Sequence, residues 1–136
     1  MDGHLRMVWA SSNQDREELL DQSHRMEFLT GQENEAMVEA HVESGFTMGE
    51  PFRTHDEFDF RGSKITSRMS QHMSVFLQHR LTAPPTEVYT LHRKIAGAYL
   101  LCIKLGAKVA CRDILQSIVE KHDFTDGRPG PSLYQG

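Results

Sequence analysis

Two cysteines, Cys102 and Cys111, stand nine positions apart in 136 residues. That spacing matches no C-x-x-C zinc or redox pair, and a chain that is 38% hydrophobic has enough core residues to fold without disulfides. A reducing compartment is the default. Long hydrophobic runs are also missing. The most apolar stretch, Tyr89 to Cys102, holds an uncharged run of only about nine residues, Ile95 to Ile103, between Lys94 and Lys104, whereas a bilayer span takes about 20. The start, Met1-Asp2-Gly3-His4-Leu5-Arg6, lacks the charged-then-apolar order of a secretory signal, and the acidic first 60 residues are unlike an Arg-rich transit peptide. No targeting peptide is expected in this chain. Period-two alternation, internal repeats and low-complexity blocks are absent too, which argues against a sheet or a solenoid.

Charge is present but segregated. Residues 1–60 hold 14 acidic against 4 basic side chains, and residues 61–136 hold 5 against 11. The basic residues of the second half are scattered rather than clustered, so no nucleic-acid partner is expected. Complementary helical layers are the simpler reading.

Apolar residues recur at helical steps along most of the chain. Gly3 to Ser12 reads as one helix. Asn13 or Asp15 caps a second through Leu19, Leu20, Ser23 and Met26. Thr30-Gly31-Gln32-Glu33 has the capping-box form and predicts a helix from about residue 31 to 48, with Gly49-Glu50-Pro51 as its stop. The stretch from Pro51 to Gly62 is a loop pinned by Phe52, Phe58 and Phe60. Ser63 is a plausible cap for a helix through Ile65, Met69, Met73 or His72, Phe76 and Arg80 or Leu81, which ends near Leu81 because Pro84-Pro85 cannot continue it. Val88, Leu91, Ile95, Ala98, Cys102 and Leu105 form a stripe that Tyr99, Leu100 and Ile103 widen, which predicts a helix buried on most sides and stopped by Gly106. Its small residues Ala96, Gly97 and Ala98 suggest close packing. A last helix runs from Ala110 to Lys121 through Ile114, Leu115, Ile118 and Val119. The fold expected is all-α, with about five to six packed helices over residues 1–122 and a flexible tail over 123–136.

Candidate chemistry is thin. Eight histidines invite a metal, but His72 and His79 lie two helical turns, about 10 Å, apart and no H-E-x-x-H is present. His92 stands beside Arg93 and Lys94, which disfavour its protonated form, and reads as a hydrogen-bonded helix residue. The loop residues His55, Asp56, Glu57 and Asp59 could hold a cation only weakly. Arg112-Asp113-Ile114-Leu115 echoes a kinase catalytic loop, yet Cys111 replaces its histidine and Ile118 its magnesium-binding asparagine. Asp59-Phe60-Arg61 echoes D-F-G without the glycine and precedes the first echo, the reverse of kinase order. With no G-x-S-x-G and no Gly-rich phosphate loop, no catalytic, cofactor-binding or metal residues are assigned.

An ordered series of motifs carries more information than any of these. Asp15-Arg16-Glu17, Phe28-Leu29-Thr30-Gly31, Met37 to His41, Gly49-Glu50-Pro51-Phe52, Phe58-Asp59-Phe60, Gln78-His79-Arg80-Leu81 with Pro84-Pro85, Tyr89 to Lys94, Cys102 and Cys111-Arg112 together resemble the carboxy-terminal part of the UbiB (aarF domain-containing) atypical kinases. The match is best with the mitochondrial coenzyme Q branch and covers roughly Arg6 to Lys121. The resemblance implies the last helices of a kinase-like C-lobe, incomplete alone, with His92, Arg93 and Lys94 as structural residues. The family's K-x-G-Q segment, alanine-rich nucleotide loop, nucleotide-binding lysine, catalytic aspartate and D-F-G aspartate have no counterpart here, and the chain reads as beginning inside the C-lobe. For the full-length family the resemblance implies ATP and magnesium and a role in ubiquinone biosynthesis at the matrix face of the inner mitochondrial membrane. The partners it implies are the remainder of the kinase-like domain, coenzyme Q biosynthesis proteins and inner-membrane lipid. An independent helical protein–protein interaction module is the alternative.

Overall fold

The computed structural model describes residues 1–70 and 86–133. It is helical, as expected, apart from one very short antiparallel ladder. Helix α1 spans Asp2–Ser12, α2 Arg16–Arg25 and α3 Glu35–Met48. A 3-10 turn, Glu50–Phe52, leads to strand β1, Phe58–Asp59, then to the short helices α4, Phe60–Ser63, and α5, Ile65–Ser70. Helix α6, Thr86–Leu105, strand β2, Lys108–Val109, and helix α7, Cys111–Lys121, complete the order. The expected continuation of α5 to Leu81, the Pro84-Pro85 break, His72 and His79 lie outside the described residues.

Local chemistry sets the helix starts. Asp15, rather than Asn13, caps α2: its carboxylate accepts from the Glu18 amide at 3.2 Å, while Glu17 and Glu18 face the positive end of the helix dipole. The capping box at Thr30 is real but belongs to a turn. The Glu33 carboxylate accepts from the Thr30 and Gly31 amides, and Gly31 has φ +90°, so the chain bends there instead of entering a helix. Helix α3 begins four residues later than the box predicts, with Asn34 Oδ1 accepting from the Met37 amide at 2.9 Å. Ser63 is likewise not the cap of α5. Its hydroxyl donates to the Phe60 carbonyl inside α4, and Lys64, at φ +54°, separates the two helices.

The ladder corrects the expectation of no strands. Phe58 pairs with Val109 and Asp59 with Lys108. Two-residue arms are too short to display alternation, so only the tertiary fold reveals them.

Three apolar clusters form the core. Helix α1 serves two of them: Met7 and Ala10 face Leu19, Phe28 and Val42, while Leu5 and Trp9 face Leu115 and Val119 of α7. The third joins Phe60, Ile65, Tyr99 and Cys111. All three loop phenylalanines anchor as expected, with Phe60 meeting Phe58 and Tyr99 edge-on at centroid separations of 4.9 and 5.4 Å.

Helix α6 departs from expectation. Among its described side chains only Tyr99 is buried, whereas Leu101 is 58% and Leu105 72% exposed. A Cβ on Gly97 would meet nothing within 4 Å, so Ala96, Gly97 and Ala98 mark an open face, not a packed one. The physical reason is that α6 is apolar on more than one side, and this chain covers only the side bearing Ile95, Tyr99, Cys102 and Ile103. On α7, Leu115 and Val119 are buried while Ile114 and Ile118 are exposed.

The described part of the tail makes contacts that its composition does not announce. Residues 122–133 carry no helix, as their Gly/Pro content implies, but they are fastened to α1 and α2. Arg6 donates twice to Asp126, Trp9 Nε1 donates to the Ser132 carbonyl at 3.0 Å, and Arg128 pairs with Glu18. Phe124 and Leu133 pack on the Trp9 cluster.

Candidate functional site

The two segments that echo kinase motifs come to rest in structural positions. In Asp59-Phe60-Arg61, Asp59 accepts from the Gly62 amide at 3.0 Å and so caps α4. Phe60 is buried. Arg61 reaches the end of α6, where its guanidinium donates to the carbonyls of Ile103, which also accepts from the Gly106 amide, and Lys104. Gly106 follows at φ +63°, and a Cβ there would lie 3.2 Å from the Arg61 Cζ. The glycine thus supplies the left-handed turn and leaves room for the arginine.

In Arg112-Asp113-Ile114-Leu115, Arg112 is buried under Trp9, its Cζ 4.7 Å from the ring centroid. It donates to the Phe52 carbonyl at 2.9 Å and to Asn13 Oδ1 at 3.0 Å. One guanidinium therefore ties α7 to the 3-10 turn and to the end of α1. Asp113 pairs with His55 at the surface, which places the histidine of the acidic loop against α7. Nearby, Arg68 grips Glu50 through two bonds of 2.6 and 3.0 Å, locking α5 onto the turn that ends α3.

The titratable groups of the third cluster are not poised for proton or group transfer. Burial pushes the Tyr99 phenol well above its ordinary range, and its hydroxyl donates to the Met48 carbonyl at 2.7 Å. Burial also raises the Cys111 thiol, which disfavours the nucleophilic thiolate. Three further histidines are engaged locally. His24 Nδ1 meets the Leu20 carbonyl, His41 Nε2 lies 2.7 Å from Ser23 Oγ, and His122 meets Asp2. Hydrogen bonding to His122 and Thr125 holds the Asp2 carboxyl below its usual range. The side chain of His92 lies outside the described residues. Among those residues no group of three or more His, Cys, Asp or Glu could share an ion, and no helix is long and apolar enough to cross a membrane.

Among the described residues a hollow of about 410 Å³ opens between α1, α3 and α6. Met7, Leu19, Phe28, Met48 and Ile95 supply much of its apolar wall, and Ser44 contributes a buried hydroxyl. Sequence reasoning missed it because its walls come from several segments far apart in the chain, each of which reads as ordinary core. The Arg112–Trp9–Asn13 node was missed too. Its one signal was a lone tryptophan on a helix.

No protein-family profile matches the chain. Individual relatives do. It is 40% identical over 121 residues to the mitochondrial atypical kinase COQ8B of Rattus norvegicus, covering 89% of this chain and 23% of that protein. Against the mitochondrial atypical kinase coq-8 of Caenorhabditis elegans it is 37% identical over 124 residues, 91% of this chain and 16% of the relative. With COQ8 of Saccharomyces cerevisiae the identity is 39% over 117 residues, 85% of this chain and 23% of the relative. The chain thus spans between 16% and 23% of the length of these proteins. Similarity this continuous, across relatives from yeast to mammal, makes the chain a segment of the COQ8 atypical kinases, within the UbiB family that its ordered motifs resemble.

Proposed function

We propose that this segment is the structural carboxy-terminal support of a kinase-like C-lobe, in a mitochondrial atypical kinase or ATPase that serves coenzyme Q biosynthesis. The observation that carries the reading is the fate of Arg61 and Arg112. Both lie in sequences that echo catalytic motifs, and both spend their hydrogen bonds on backbone carbonyls and neighbouring side chains of the scaffold. The collinear similarity to mitochondrial atypical kinases supports the activity and the mitochondrial setting, and the pathway rests on the resemblance to the coenzyme Q branch of the UbiB family. Placement at the matrix face of the inner membrane, contact with coenzyme Q biosynthesis proteins and the use of ATP with magnesium belong to the same reading. In the same reading residues 1–122 are the C-lobe segment and 123–136 a tail beyond it.

A graft tests it. The stretch of the yeast COQ8 protein matched by this chain is replaced by Arg6 to Lys121, and respiratory growth and coenzyme Q content are measured in yeast lacking the native protein. Restored growth is the expected result. A chimera that accumulates and folds but restores neither growth nor coenzyme Q overturns the proposal. The isolated chain is expected to show no saturable, magnesium-dependent binding of a fluorescent ATP analogue, because phosphoryl transfer needs positioned magnesium ligands and a cationic phosphate cradle.

A further inference from the structure

The hollow between α1, α3 and α6 has features that a packing defect does not explain. At about 410 Å³ it falls within the size range of small-molecule sites, while ordinary interior voids are seldom larger than a water molecule. No Asp, Glu, Lys or Arg lines it, and its polar groups are those of His4, Ser11, His41, Ser44 and Tyr99, so a charged ligand would lose its hydration there without a permanently charged partner in return. One polar atom stands out. Ser44 is 6% exposed, and its Oγ has no hydrogen-bond partner among the described residues. A serine inside a helix ordinarily bonds back to its own backbone or reaches water, but this one lies in the wall of the cavity.

We propose that this cavity binds an uncharged, largely hydrocarbon molecule bearing one hydroxyl or carbonyl oxygen, which pairs with Ser44 Oγ. The apolar body is gripped by Met7, Phe28, Met48 and Ile95, two of them methionines that adapt their shape to irregular guests. Specificity resides in the single oxygen. The hydroxyl of Ser44 can donate or accept, so alcohols and ketones both fit. The inference stands on the cavity alone and does not depend on the kinase reading.

The test compares 1-octanol with n-nonane, which has the same number of heavy atoms and no oxygen, and with octanoate. Binding to the full chain is followed by NMR chemical-shift titration at pH 8, with the oligomeric state checked by light scattering at the same concentration. The expected result is saturable one-to-one binding of 1-octanol, roughly fivefold tighter than n-nonane, as one net hydrogen bond provides, with octanoate weakest. Ser44→Ala should bring 1-octanol down to the level of n-nonane and leave n-nonane unchanged. Ala98→Trp, at an exposed position that also lines the cavity, should abolish both while far-ultraviolet dichroism stays the same. Equal affinity for 1-octanol and n-nonane, an unchanged 1-octanol affinity in Ser44→Ala, or undiminished binding in Ala98→Trp would each overturn the proposal. So would loss of binding when the protein self-associates, which would assign the cavity to a second copy.

Discussion

Gly49 sits where the end of α3 crosses α1, and Gly49→Ala probes that crossing. A Cβ at this position would lie 2.6 Å from the Ser11 carbonyl carbon and 2.7 Å from the Ser12 amide nitrogen. Both are backbone atoms and cannot swing aside. An ordinary carbon contact needs about 3.5 Å, so α1 and α3 must separate by nearly 1 Å along a seam where Ser12 is fully buried. Overpacking of this kind costs about 1–3 kcal/mol. The backbone itself favours alanine: at φ −82° and ψ −7° no strain arises, and the lost flexibility of the unfolded chain returns about 0.5–1 kcal/mol. The net expectation is destabilisation by about 1–2 kcal/mol. With a urea slope of roughly 1–3 kcal/mol per molar, the midpoint followed by far-ultraviolet dichroism should fall by about 0.5–1 M. Gly97→Ala is the matched control, since its added methyl meets open space in a helix interior, and its midpoint should rise by a few tenths of a molar. A Gly49→Ala midpoint at or above that of the parent, with an unchanged slope, would refute the crossing geometry.

Arg112→Leu should destabilise by about 2–4 kcal/mol, because it strands the Phe52 carbonyl and the Asn13 side chain beneath Trp9; quenching and shift of the Trp9 fluorescence should unfold in parallel with the dichroism. Arg61→Ala should cost about 1 kcal/mol through the uncapped end of α6, read as a lower urea midpoint, and a fully stable variant would dismiss the cap. The paired Arg6 holds the Asp126 carboxyl down at about 2, so its contribution is complete above the ordinary aspartate range near 4 and is lost as pH falls through about 2. Asp126→Asn should therefore flatten the acid limb of stability between those values, and an unchanged limb would show the strap to be idle. Leu105→Glu should raise the monomer fraction by light scattering, since that leucine is among the most exposed apolar side chains.

Local sequence determined the helices, because helical periodicity and caps act within a few residues. Asp15 capped α2, Gly106 ended α6, and the phenylalanines at 52, 58 and 60 anchored their loop. The family was legible as well, since an ordered series of short motifs survives in sequence even where the catalytic groups have no counterpart. What the sequence could not give were partners distant along the chain. The capping box at Thr30 looked like a helix start because its four residues satisfy each other identically in a turn, and only the positive φ at Gly31 and the Asn34 cap decide between them. Helix α6 is apolar on more than one side, and periodicity cannot say which side meets protein; the fold covers Tyr99 and leaves Leu101 and Leu105 bare. The tail lacks any period, yet Asp126, Arg128 and Ser132 find Arg6, Glu18 and Trp9 more than 100 residues away. The cavity belongs to the same class. Its walls and the buried hydroxyl of Ser44 come together only when α1, α3, α6 and the segments between them pack, because a concavity is a property of several surfaces in space and of none of them alone.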